Sequence, residues 1–247
     1  MIRRHFLRMA GAAAATAAMP ACLRSQEAAA QPVRKPNFLL IIADDLAACE
    51  LGCYGGKNVR TPNIDKLARE GLRFTHAFAS TSMCVPVRAS LYTGLYPVRN
   101  TVTRNHVAAR PGIKSVVHYL QALGYRVGLT GKVHAQPQSV FPFETVPGFE
   151  PNCTAQAADY TVDGIRAFMS RDPSQPFCLM VCSVLPHAPW TVGDESRFPA
   201  DKLVLPPHWI DTPETRRAFA KYCAEVEALD RQVADVLRAL DDVGRAL

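Results

Sequence analysis

No pair of cysteines in this chain stands at C-x-x-C spacing, although there are eight of them. That absence argues against a structural zinc site. Cys22, Cys49, Cys53, Cys84, Cys153, Cys178, Cys182 and Cys223 are scattered instead, and spacing alone does not pair them. Long apolar runs are also missing. The one extended stretch, Met9 to Ala18, is mostly alanine and too short for a stable span, so a polytopic membrane protein is excluded. Charge of one sign is missing from the body of the chain. Residues 1–35 hold Arg3, Arg4, Arg8, Arg24, Arg34 and Lys35 against Glu27 alone, which accounts for nearly all of the formal net charge of +6. The remainder lies within one charge of neutrality, so it has no electrostatic footprint for a phosphate backbone, and nucleic acid is not a partner. Nor is the composition that of a disordered, collagen-like or coiled-coil chain. At 48% hydrophobic and 20% charged, 247 residues are enough to bury a sizeable core.

What is present begins with an export signal over residues 1–30. Arg3-Arg4-His5-Phe6-Leu7-Arg8 precedes the short alanine-rich stretch, the order of a secretory signal. The paired arginines resemble the twin-arginine signal of bacteria. They imply the twin-arginine export machinery as a partner and a periplasmic or secreted destination. Met19-Pro20-Ala21-Cys22 lacks the leucine a lipoprotein box prefers, so a lipid anchor at Cys22 competes with cleavage after Ala30. Residues 31–36 form a linker, and residues 37–247 form the folded part.

That part alternates strands with helices. Asn37 to Ala43 is a continuous apolar run, read as a strand buried on both faces of a parallel sheet. Thr61-Pro62 starts a helix with Ile64, Leu67 and Ala68 on one face and Gly71 behind it. Val116, Val117, Leu120 and Leu123 mark a helix stopped by Gly124; Tyr125–Thr130 and Phe177–Val184 read as strands. A last helix starts near Thr212 with the stripe Phe219, Tyr222, Val226, Leu229, Val233, Val236 and Leu240, and Gly244 stops it. The expected fold is α/β, a mainly parallel sheet flanked by helices.

In such sheets ligands bind beyond the carboxyl ends of the strands. Three strands here run into ionisable residues: Asp44-Asp45, Lys132 with His134, and His187. Adjacent carboxylates need a cation, and hard oxygen donors suit calcium or magnesium. Lys132 and His134, two residues apart, are expected on one side of an extended segment, as donors to an oxyanion. In Cys84-Val85-Pro86-Val87-Arg88-Ala89-Ser90-Leu91-Tyr92-Thr93-Gly94, Pro86 suits a first helical turn and Gly94 its end. Cys84 then sits at a helix N-terminus, where the dipole favours anions, and no base lies beside it in sequence.

This segment resembles the signature of the type I sulfatases, C-x-P-S/A-R then x-x-L-x-T-G, within the alkaline phosphatase-like superfamily. Val87 is the one departure in its core, and it puts little in doubt. Asp44-Asp45, Thr61-Pro62-Asn63-Ile64-Asp65-Lys66-Leu67-Ala68, Gly131-Lys132-Val133-His134 and Pro186-His187-Ala188-Pro189 follow the family's pattern in order. The resemblance covers residues 36–247. It implies that a formylglycine-generating or sulfatase-maturing enzyme oxidises Cys84 to formylglycine, whose hydrate attacks sulfur and later expels sulfate. It also implies one calcium ion held by Asp44, Asp45 and the modified Cys84. Arg88 would orient the formylglycine, Lys132 and His134 would hold sulfate or assist attack, and His187 would protonate or hold the leaving group. Gly131 to Pro137, Val140-Phe141-Pro142-Phe143 and Leu203 to Arg216 are further similar to heparan N-sulfatases, favouring a sulfated carbohydrate substrate cleaved at an ester or a sulfamate. The family uses two further metal ligands and a second lysine on a later strand, and a smaller C-terminal domain. This chain matches only the front part, so it is expected to be weakly active or inactive alone, with the core incompletely covered and the last helix poorly docked. Two other readings stay open: a phosphoesterase or phosphonate hydrolase of the same superfamily, and a non-catalytic exported glycan-binding relative.

Overall fold

A computed structural model describes residues 35–155 and 159–244. The export signal, including Cys22, and most of the linker lie outside the described residues. Four strands, β1 (Phe38–Ile42), β2 (Arg126–Gly131), β3 (Glu144–Thr145) and β4 (Phe177–Cys182), form one sheet in the order β1-β4-β2-β3. Every pairing is parallel. Six α-helices accompany them among the described residues: α1 (Pro62–Glu70), α2 (Cys84–Thr93), α3 (Pro97–Asn100), α4 (Val116–Ala122), α5 (Asp163–Ser170) and α6 (Pro213–Asp242). None of the helices among the described residues is long and apolar enough to cross a membrane.

The period-two geometry of β4 builds two cores from one strand. Cys178, Met180 and Cys182 pack with Val85, Ala89 and Tyr92 of α2 and with Val117 of α4. Phe177, Leu179 and Val181 face the other way, onto Ile165, Phe168 and Met169 of α5 and Val236, Ala239 and Leu240 of α6. All six β4 residues are buried. The strand at 38–42 departs from expectation. It is an edge strand, half-buried, with Phe38 44% exposed, because among the described residues only β4 pairs with it.

The last helix is also firmer than expected. Thr212 caps α6 by accepting from Thr215 N at 3.2 Å, and Pro213 fills its first turn. All seven residues of its apolar stripe are buried. Over 30 residues it runs about 45 Å, and it packs on α1, α5 and the turns around Glu195 and Ala200. The expected poor docking is therefore overturned, since the stripe finds partners along its whole length. The α1 helix differs in the opposite sense. Leu67 on its predicted apolar face is 44% exposed. A carboxylate of α6 pins it instead: Asp230 accepts from Asn63 N, Ile64 N and Asn63 Nδ2 at 3.3, 2.9 and 2.7 Å, meeting donors that a helix start leaves unsatisfied. β3, α3 and α5 have no counterpart in the sequence reading.

Candidate active site

Register brings the strand ends together. Ile42 pairs with Cys182, and Cys182 with Gly131. The ladder continues past the strands: Lys132 N donates to Cys182 O at 2.9 Å, Ser183 N to Ile42 O at 2.9 Å, and Asp44 N to Leu185 O at 3.0 Å. Asp44, Lys132 and the Pro186–His187 turn thus share one edge of the sheet. Gly131 is required there. Its φ is +82°, and a Cβ would stand 2.1 Å from Cys182 O.

Asp44 is the centre of the site. Its carboxylate takes the Lys132 ammonium on Oδ2 and Arg88 Nη2 on Oδ1 at 3.3 Å. Arg88 Nη1 also donates to Lys132 O at 2.8 Å. All three side chains are buried. Burial works against the charge on Lys132, but the bond and charge of Asp44, with the Cys153 thiol and Cys84 nearby, together outweigh it and raise the pKa of the ammonium. The cluster holds two cations and one anion, a surplus of positive charge in a dry site, suited to an oxyanion.

The α2 helix delivers both Arg88 and Cys84. Cys84 is its first residue, half-buried, and Val85 N donates to Asn105 Oδ1 at 3.1 Å. Gly94 closes the helix at φ +69°. Lys132 and His134 do not share one side of an extended segment as expected. Gly131 and His134 (φ +46°) both take left-handed backbone, so Lys132 turns inward while His134 stays half-buried. Burial, then the Lys132 and Arg88 charges, lower the His134 pKa and keep its ring neutral. The ring stacks edge-on with His106 at 6.3 Å, and its Nδ1 is buried without a partner among the described residues.

Asp45 is exposed, with Nε2 of His187 3.7 Å from its Oδ2. A carboxylate oxygen of Asp44, a ring nitrogen of His187 and Sγ of Cys153 lie within 4.8 Å of one another. Two carboxylates at one strand end, beside an imidazole, fit a divalent cation. Cys153 carries no sequence signal for this place; it arrives on a turn after β3. The seven cysteines among the described residues are all free thiols.

The α6 helix supplies supports that sequence reasoning missed. Tyr222 OH accepts from Ala47 N at 3.0 Å and donates to Asp45 O at 3.4 Å. Glu225 Oε1 accepts from Thr191 N at 2.8 Å and Val192 N at 3.2 Å, holding the loop that carries His187. Burial pushes the Glu225 carboxyl up to about 7, against the pull of those two amides and of His187. Its other oxygen has no partner among the described residues. The folded state therefore keeps a proton that an unfolded glutamate loses above its ordinary pKa of 4.5. This contribution to stability is complete below that value and is lost as pH rises to about 7. Glu225→Gln keeps the acceptor and removes the ionisation. By urea unfolding, the variant should gain on the parent by about 1–2 kcal/mol between about pH 5 and pH 8; a difference that does not move with pH would contradict a buried, proton-holding carboxyl.

Comparison with known proteins places this geometry. Residues 36–246 match the family model named Sulfatase. The chain belongs to the sulfatase family. It is 33% identical over 211 residues to an ulvan-active sulfatase of Formosa agariphila, covering 84% of this chain and 42% of that protein. It is 30% identical over 246 residues to human N-sulphoglucosamine sulphohydrolase, covering 85% and 48%. The structure of BT4656 in complex with its substrate D-glucosamine-2-N,6-O-disulfate superposes with a TM-score of 0.68 at 20% identity, covering 85% of this chain and 63% of that one. At that identity the likeness concerns the fold alone. This sulfatase chain thus spans less than half the length of the two curated relatives.

Proposed function

We propose that the protein is a formylglycine-dependent sulfatase that removes sulfate, as ester or sulfamate, from a sulfated carbohydrate. The observation that carries this reading is the meeting of Asp44, Arg88 and Lys132 at the strand ends with Cys84 at the start of α2. The relatives named for ulvan and for N-sulphoglucosamine support the carbohydrate class. Asp44 and Asp45, with the modified Cys84, would hold a divalent cation, and oxygen donors favour calcium. Formylglycine and the cation together supply the nucleophile and polarise the sulfuryl group.

The chain's own residues do the rest. Arg88 and Lys132 neutralise the sulfuryl oxygens without reorganising, because Asp44 and buried packing already fix them. His134, neutral, can accept a proton at its unpartnered Nδ1. His187, at the open side beside Asp45, can give one to the departing sugar oxygen or nitrogen. The N-terminal arginine pair supports export by the twin-arginine route to the periplasm or beyond.

The test uses the protein as its own host makes it. Sulfate release from 6-sulfated and N-sulfated glucosamine, compared with phosphate release from a phosphate monoester, should favour sulfate by at least about a hundredfold. The peptide containing Cys84 should show sulfur replaced by oxygen in its mass. Preference for the phosphate ester would transfer the chain to the phosphoesterase reading. An unmodified thiol with glycan binding and no turnover would support the non-catalytic one.

A further inference from the structure

Beside the catalytic edge lies a cavity of about 290 Å³ whose walls include Asp45, Pro186 and Ala188. The cavity therefore adjoins the turn that carries His187. Trp190, Trp209, Phe219 and Tyr222 are its aromatic lining. These rings are held rather than loose. Trp190 Nε1 donates to Pro186 O at 3.0 Å, and Trp190 meets Tyr222 edge-on at 5.9 Å. Trp209 meets Phe219 edge-on at 5.1 Å, and Phe219 stacks on Tyr222 at 5.8 Å. The polar groups on the walls are Asp45, Glu50 and His208, with no lysine or arginine among the lining residues.

We propose that this cavity is a subsite for one uncharged pyranose ring, the sugar next to the one that carries the scissile sulfate. The proposal rests on the sulfated-carbohydrate reading and adds which part of the substrate goes where. A pyranose has apolar C–H faces and a rim of hydroxyls. Fixed aromatic faces take the first, and the Glu50 carboxylate and His208 ring take the second. Glu50 keeps acceptor capacity, since among the described residues only Asn58 Nδ2 (3.2 Å) and the Cys49 thiol (3.7 Å) face its oxygens. A second sulfate would meet the Glu50 carboxylate with no lysine or arginine on the walls to offset it, so the ring accepted here is unsulfated. Preformed walls lower the ordering cost of binding a floppy oligosaccharide.

Trp190 and Trp209 are the two tryptophans of the chain, so their emission reports on this cavity. The probes are the unsulfated N-acetylglucosamine disaccharide, the same disaccharide carrying one 6-sulfate, glucosamine 6-sulfate and inorganic sulfate. Both disaccharides should change the emission saturably, and inorganic sulfate should not. Trp209→Ala and His208→Ala, read by calorimetry, should each weaken disaccharide binding about tenfold. In turnover they should narrow the preference for the sulfated disaccharide over glucosamine 6-sulfate by a similar factor, through KM rather than kcat. His208 is exposed, so its variant carries the test if the Trp209 variant fails to fold. Silent emission with the disaccharides, or binding in His208→Ala and a folded Trp209→Ala as tight as in the parent, overturns the proposal. Binding without hydrolysis would instead count against the sulfatase reading and leave the cavity assignment standing.

Discussion

Asp44→Asn should cost the fold about 3–5 kcal/mol. The substitution keeps the volume and an acceptor oxygen but removes the one anion between Lys132 and Arg88, whose side chains are 2% and 4% exposed. Two uncompensated cations would then sit in a site that water reaches poorly. Breaking one side of a buried pair leaves this penalty, whereas replacing the pair need not. Adding Lys132→Met to Asp44→Asn should therefore recover a large part of the loss, and the two changes should be far from additive. Urea unfolding in the presence of a chelator checks both, and keeps lost metal affinity out of the comparison. A single variant within about 0.5 kcal/mol of the parent would mean that the charge cluster is solvated and that the site is not preorganised for an oxyanion.

Cys84→Ala should lower sulfate release by at least about a thousandfold while leaving stability nearly unchanged. The two halves of this expectation have separate causes. Cys84 is half-buried at the first position of α2, and alanine is the better helix former. Its chemistry, in contrast, has no substitute nearby. Arg88 and Lys132 bear charge but are not nucleophiles, and Cys153 belongs to the Asp44–His187 side of the site. Rates measured on one sulfated sugar, beside thermal unfolding of the same preparations, check it. Turnover surviving in Cys84→Ala would move the nucleophile elsewhere and remove the ground for formylglycine. A large fall in melting temperature would make the rate loss structural instead.

Much of this site is legible in the order of residues alone. The apolar runs at 38–42, 126–131 and 177–182 end in Asp44, Lys132 and the Pro186–His187 turn, and parallel strands must place such ends on one side. The stripe from Phe219 to Leu240 recurs at helical period, and every member is buried. Other parts leave no trace in local pattern. Glu225 lies outside the apolar stripe of α6, yet it is buried and holds the His187 loop. Asp230 caps a helix that begins 168 residues earlier in the chain. Ile165, Phe168 and Met169 do have helical spacing, but eight residues of α5 are too few for it to stand out.

The sequence by itself determined the fold class, the ionisable residues at the strand ends and the place of Cys84 at the start of a helix. Those depend on intervals of two to four residues, on Pro86 and Gly94 at the ends of one helix, and on ordered motifs. Tertiary structure decided the rest. It set β1 at the sheet edge, turned Lys132 inward through Gly131, brought Cys153 beside Asp44, and gathered both tryptophans around one cavity. The physical reason is that backbone preference acts between neighbours along the chain. Which distant side chains meet, and how dry their meeting place is, depends on strand register and on packing that no short window of residues contains.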